Sequence, residues 1–196
     1  MIFTATPVDS AFVIDLERRA DHRGFFARTL CVREFAAHGI AGEFVQGSVS
    51  RNHRRGTLRG MHFQWPPSRE NKLVRCAAGA IYDVIIDLRP ASATYLRHFG
   101  VELDARGQRG LYIPWGCAHG FLTLADAVEV SYLMTDYYQP ELAAGVRWND
   151  PRFGIAWPEP VTEMVERDAS YPDFDASAHR RRFEASLAAS EPSGRG

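Results

Sequence analysis

Nine short segments rich in β-branched and aromatic residues succeed one another along the chain, each broken off by glycine, proline or another turn former: AFVIDL, EFVQGSVS, TLRGMHFQ, KLVRCAAG, AIYDVIIDL, TYLRHFGVEL, RGLYIP, HGFLTL and VEVSYLMTDYY. Runs this short suit strands better than helices, and their even recurrence favours a mainly β sandwich or barrel. VREFAAHG, from Val32 to Gly39, reads as a short helix with a glycine terminator. FDASAHRRRFEASLAA supplies a helix or partly ordered tail, and the Ser/Pro/Gly-rich ending SEPSGRG is expected to fray.

At 196 residues the chain suits one domain with one substantial core. A formal charge of -1 offers no general attraction for nucleic acid or an anionic membrane. No apolar stretch is long enough to span a bilayer, and the first residues lack a basic head followed by an apolar secretion segment, so the expected compartment is the cytoplasm. Cys31, Cys76 and Cys117 are odd in number and far apart, which suits buried or semi-buried free thiols rather than a disulfide scaffold. Lys72 is the only lysine; the other 22 of the 23 basic residues are arginines.

Strand alternation puts Gly60, His62 and Gln64 on one face and Arg59, Met61 and Phe63 on the other, unless the glycine breaks the pattern. Val130, Tyr132 and Met134 likewise share a face. A closed barrel could aim Tyr132 and His62 into one cavity. His62 can be read as a ring that supports the fold or as a proton acceptor; Tyr132 as a core aromatic or a proton donor; Lys72 as a strand-edge cation or a stabiliser of a developing oxyanion. The arginines of DHRGFF and TLRG can lie solvated or grip phosphate. No compact metal-ligand spacing, P-loop or dinucleotide fingerprint is present, so no metal site and no ATP or NAD chemistry is expected.

Nine ordered blocks, DHRGFFAR, FVQGSVS, GTLRGMHFQ, ENKLVRC, YDVIIDLR, LYIPWGCAHGF, EVSYLMTDYY, GVRWNDPRFGIAWP and ERDASYP, resemble the dTDP-4-dehydrorhamnose 3,5-epimerase family over about residues 2 to 174. The resemblance implies a cupin-like β-barrel or jelly roll with short peripheral helices, as a single domain over residues 1–174 followed by a helical or partly disordered tail over 175–196. It implies cofactor-independent epimerisation of a nucleotide-linked 4-keto-6-deoxyhexose, foremost dTDP-4-keto-6-deoxyglucose at C3 and C5. His62 would be the base, Tyr132 the acid, Asp168 the residue that orients His62, and Lys72 a catalytic cation. Arg23, Arg28, Gln46, Arg59, His119, Tyr138 and Arg167 would bind substrate. A homodimer exchanging its N-terminal segment is implied as well, so that Arg23 could serve the neighbour's pocket. Arg28 and Ala143 stand where many members carry glutamates, and the stretch between Gln46 and Gly56 is one residue longer than in many rhamnose-pathway enzymes. The alternatives are a C3-only or C5-only epimerase acting on a dTDP-, CDP- or GDP-linked ketosugar, and a noncatalytic nucleotide-sugar-binding cupin.

Overall fold

The structure, a computed structural model, describes residues 1–40 and 42–190. In chain order its elements are β1 (Ile2–Ala5), β2 (Phe12–Asp15), β3 (Arg19–Asp21), β4 (Gly24–Phe26), α1 (Val32–Ala36), β5 (Gln46–Asn52), β6 (Leu58–Gln64), β7 (Lys72–Ala78), β8 (Ala80–Asp87), β9 (His98–Asp104), β10 (Gly110–Ile113), β11 (Cys117–Thr123), β12 (Val128–Met134), β13 (Ala143–Gly145), α2 (Glu166–Ala169) and α3 (Ala176–Ser190). All nine segments expected as strands overlap one. The helix expected from Val32 to Gly39 ends at Ala36 and finishes in a turn. The end beyond Ser190, where fraying was expected, lies outside the described residues.

Two antiparallel sheets make the body: six strands in the order β1-β2-β10-β7-β12-β5, and five in the order β13-β6-β11-β8-β9. The hairpin β3-β4 forms a third sheet and pairs with neither. Neither large sheet closes, because β1 and β5 end one of them and β13 and β9 end the other. The expected cupin-like barrel or jelly roll is therefore replaced by two open sheets sharing a core. Alternation along a strand is the same in both architectures; only the pairing of the outermost strands distinguishes them, and that pairing leaves no mark on periodicity.

The core between the sheets takes Val74, Leu111 and Val130 from the larger sheet and Ile81, Ile85 and Phe121 from the smaller. On the outer face of the smaller sheet, Met61, Phe63, Val84 and Ile86 pack against Phe153 and, from α3, Phe183. The outer face of the larger sheet packs Ile14, Leu73 and Tyr112 against Phe35 of α1. Strand β8 is covered on both sides, which explains why AIYDVIIDL is almost continuously apolar rather than alternating. Gly79, with φ +76°, carries the chain from β7 in one sheet to β8 in the other, and a Cβ there would lie 2.7 Å from Val128 Cγ2. Among the described residues no helix is long and apolar enough to cross a membrane.

Candidate active site

A cleft of about 810 Å³ lies where the two sheets face each other, lined by β5, β7 and β12 on one side and β6 and β11 on the other, with residues 163–171 along its rim. The local geometry of β6 decides what enters it. His62 stands opposite His119 of β11, whereas Phe121 stands opposite Arg59, so β6 carries one residue more than its partner over the same span. This bulge interrupts alternation, and Arg59 and His62 both reach the cleft despite being assigned to opposite faces by strict alternation. Gly60 makes the bulge feasible: its φ is +133°, and a Cβ there would approach Gly120 Cα to 2.5 Å. Its N–H donates to Asp168 Oδ2 at 3.1 Å.

Asp168 sits in α2, buried to 2% side-chain exposure, and its Oδ1 accepts from His62 Nε2 at 2.8 Å. Burial alone would raise its carboxyl; the bond and charge of His62, the Gly60 N–H and the bond from Arg167 outweigh burial and hold it below the ordinary range. An ionised Asp168 only accepts, so the shared hydrogen belongs to His62 Nε2 and the lone pair to Nδ1. Arg167 Nε donates to the same Oδ1 at 3.1 Å, and its Nη2 lies 3.1 Å from His62 Nε2. His62 Nε2 and Arg167 Nε thus both donate to one carboxylate oxygen.

Tyr132 enters from the facing sheet, on β12. Burial first, then the charge of Asp83, pushes its phenol far above its ordinary value, with Arg59 opposing. It therefore keeps its proton at neutral pH. Beside it lies His119, its ring centroid 6.0 Å from that of Tyr132 and its Nε2 2.7 Å from Asp83 Oδ1. Asp83 is fully buried and its Oδ2 has no partner. Lys72 Nζ lies 2.8 Å from Glu70 Oε2, and both residues line the cleft. Asp83 and Glu70 escaped sequence reasoning. For Asp83 the usable signal was a carboxylate on the same strand face as Ile81 and Ile85.

The remaining expected site residues divide into two groups. Arg59, whose Nε donates to Asn52 Oδ1 at 2.7 Å, lines the cleft together with Tyr138 and Arg167. Gln46 is not in the lining but is tied to it, its Oε1 accepting the Tyr138 N–H at 3.2 Å. Arg23 and Arg28 do not reach the cleft of their own chain. Arg23, 78% exposed, pairs with Asp21 beside the β3-β4 turn, and Arg28 pairs with Glu34 at 2.6 Å. All three cysteines are free thiols, and burial pushes Cys76 up to about 11 and Cys117 higher still. Among the described residues, no three His, Cys, Asp or Glu side chains converge as a metal site.

Between them the walls offer an oriented imidazole, a protonated phenol and an ammonium, a set equipped to take a proton from one face of a bound molecule and return one to the other. Comparison with known proteins gives this acid–base site its family. The profile described as dTDP-4-dehydrorhamnose 3,5-epimerase matches residues 5–176. The dTDP-4-dehydrorhamnose 3,5-epimerase of Methanothermobacter thermautotrophicus is 41% identical over 172 residues, covering 86% of this chain and 92% of the relative. The crystal structure of the Elizabethkingia anophelis dTDP-4-dehydrorhamnose 3,5-epimerase superposes with a TM-score of 0.86 at 33% identity, over 89% of this chain and 96% of that one. ChmJ, a 3′-monoepimerase from Streptomyces bikiniensis solved with dTDP-quinovose, superposes with a TM-score of 0.78 at 30% identity, over 89% and 87%. The chain belongs to the dTDP-4-dehydrorhamnose 3,5-epimerase family and is an enzyme of the nucleotide-sugar epimerase class.

Proposed function

We propose that this enzyme epimerises a nucleotide-linked 4-keto-6-deoxyhexose, foremost dTDP-4-keto-6-deoxyglucose, at C3 and C5. The observation that carries the reading is the placement of His62, held by Asp168 of α2, on one sheet and Tyr132 on the sheet facing it across a single cleft. The C4 ketone acidifies the C–H bonds on either side of it, since loss of either proton gives an enolate delocalised onto the C4 oxygen. His62 Nδ1 takes the proton from one face, and Asp168 stabilises the imidazolium that results. The Lys72 ammonium meets the charge that develops on the C4 oxygen. Tyr132 then delivers its proton to the opposite face, and the carbon inverts. The hydrogen leaves and returns as a proton, so the reaction needs no redox cofactor. Arg59 and Arg167 supply the cations for a diphosphate.

Incubation with dTDP-4-keto-6-deoxyglucose in deuterated water, followed by NMR at C3 and C5, tests this reading. Deuterium and inversion at both carbons is the expected result. Saturable binding without exchange at either carbon, also with CDP- and GDP-linked ketosugars, would reject it in favour of a binding-only protein. The likeness to a 3′-monoepimerase supports one second reading, exchange confined to a single carbon. Pocket shape decides between the two, because both use the same acid and base. The proposal extends to the assembly: Arg23 and Arg28 lie outside their own cleft, and a homodimer exchanging the N-terminal segment would bring Arg23 to the partner's site.

A further inference from the structure

The single lysine of the chain is not free in the cleft. Lys72 Nζ meets Glu70 Oε2 at 2.8 Å, and the two side chains are only 15% and 9% exposed. Glu70 belongs to a pinned turn: its N–H donates to Ser68 Oγ at 3.3 Å, and Ser68 Oγ donates to Asp136 Oδ2 at 2.8 Å. Asn71 is fixed as well, by its N–H to Thr135 Oγ1 at 2.8 Å and by its Oδ1, which accepts the Trp115 N–H at 3.0 Å. The carboxylate is therefore carried by backbone that is anchored without the lysine. Lysine is the opposite case, a flexible stem that loses rotamer freedom when it is ordered.

Charge sharpens the point. On the reading proposed above, the substrate carries an anionic diphosphate, which a carboxylate repels. Arg59 lies toward one end of the β6 wall, whereas Glu70 lies near the other, where Gln64 Nε2 donates to Ser68 Oγ at 3.3 Å. Arg59 and the Glu70-paired Lys72 thus stand toward opposite ends of this wall, with the diphosphate toward Arg59 and the sugar toward Lys72. We propose that Glu70 is a positioning residue that holds the Lys72 ammonium at the sugar end of the cleft, where it meets the C4 oxygen. The inference rests on the proposed epimerase reading for its catalytic consequence, though not for the Glu70–Lys72 link itself.

Glu70→Gln and Glu70→Asp test it, and the lone lysine makes the link measurable without turnover. Reductive methylation with formaldehyde and borohydride, read by peptide mass spectrometry, reports Lys72 separately from the N-terminal amine. Loss of the ion pair in Glu70→Gln should speed Lys72 methylation about fivefold, with Glu70→Asp in between. In the deuterium assay, Glu70→Gln should lower kcat about tenfold or more at both carbons, with KM held within about twofold, and Glu70→Asp should recover part of the loss. Unchanged methylation in both variants would overturn the proposal, as would faster methylation with an unaltered kcat. Loss of exchange at one carbon alone would also overturn it, because it would make Glu70 a proton-transfer group. If the wild-type enzyme exchanged no deuterium with any ketosugar, the epimerase reading would fail on its own, and the methylation rates would still judge the link. Should Glu70→Gln fail to fold, the charge-retaining Glu70→Asp carries both readouts.

Discussion

Asp168 accepts hydrogen bonds from His62 Nε2, Arg167 Nε and the Gly60 N–H, and an amide in its place can satisfy only part of that set. Asp168→Asn should therefore leave His62 poorly oriented and lower the deuterium-exchange rate about a thousandfold, while binding of the nucleotide sugar, followed by calorimetry, changes little. Tyr132 gives a prediction in pH. Its phenol is raised well above the ordinary value of 10.0, chiefly by burial, so the protonated donor persists above that pH. The turnover profile should accordingly show no Tyr132-dependent fall near pH 10, up to the point where the protein unfolds; a descending limb there that disappears in Tyr132→Phe residual activity would contradict the buried-donor assignment. At this scale the sequence was most legible where residues fell in distinctive blocks, as His62, Lys72 and Tyr132 do. It was least legible for carboxylates inside apolar strands. Asp83 and Asp87 are both buried on β8, yet Asp87 secures Arg89, Ser92 and Thr94 in a loop while Asp83 holds a cleft histidine. Nothing in AIYDVIIDL separates the two roles, because the distinction lies in residues that only the fold brings near.

Among the elements, α3 shows how a peripheral helix is tied to the sheet beneath it. His179 and Phe183 are its buried residues, and His179 Nε2 donates to Leu88 O at 2.7 Å within a ring of aromatic neighbours that includes Trp65 and Phe174. Burial lowers the His179 pKa, the Leu88 carbonyl opposes that, and Arg182 adds to the lowering. The folded imidazole is thus neutral at pH values where the unfolded one, with an ordinary pKa of 6.5, takes up a proton. Stability from this group is complete above that value and declines as pH falls toward the folded pKa. His179→Gln, which keeps a donor for Leu88 O and does not titrate, should show a smaller drop in Tm between about pH 7.5 and about pH 5.5 than the wild type. An equal drop would mean that the docking of α3 is insensitive to this ring. Long apolar strands such as β8 and β11 were readable because they carry many residues of one character. β1, β3, β4 and β13 were not expected: each has three or four residues, and β3 and β4 are wholly exposed, so pairing defines them and burial pattern does not.

For the whole molecule, the proposed exchange of N-terminal segments in a homodimer can be tested by mixing inactive partners. Arg23→Ala and His62→Ala should each be severely impaired alone. A heterodimer of the two would unite an intact His62 in one subunit with an intact Arg23 from the other, so activity should reappear after subunit mixing; if it does not, Arg23 serves no partner's cleft. Nine of the strands were legible in the sequence, but the way the sheets end was not, since barrel and sandwich share one alternation and differ in which edges meet. The openness of the two sheets also bears on how the enzyme can change. His62 and Tyr132, the proposed proton acceptor and donor, belong to separate sheets, and facing sheets stand about 10 Å apart. The thickness of the hydrophobic layer, set by side chains such as Val74, Ile85 and Val130 that do not line the cleft, acts as a spacer between its two walls. Trimming or enlarging that layer alters the gauge of the catalytic gap while leaving every reacting group in place, a route by which selection could retune which ring carbon is reached from the interior of the protein.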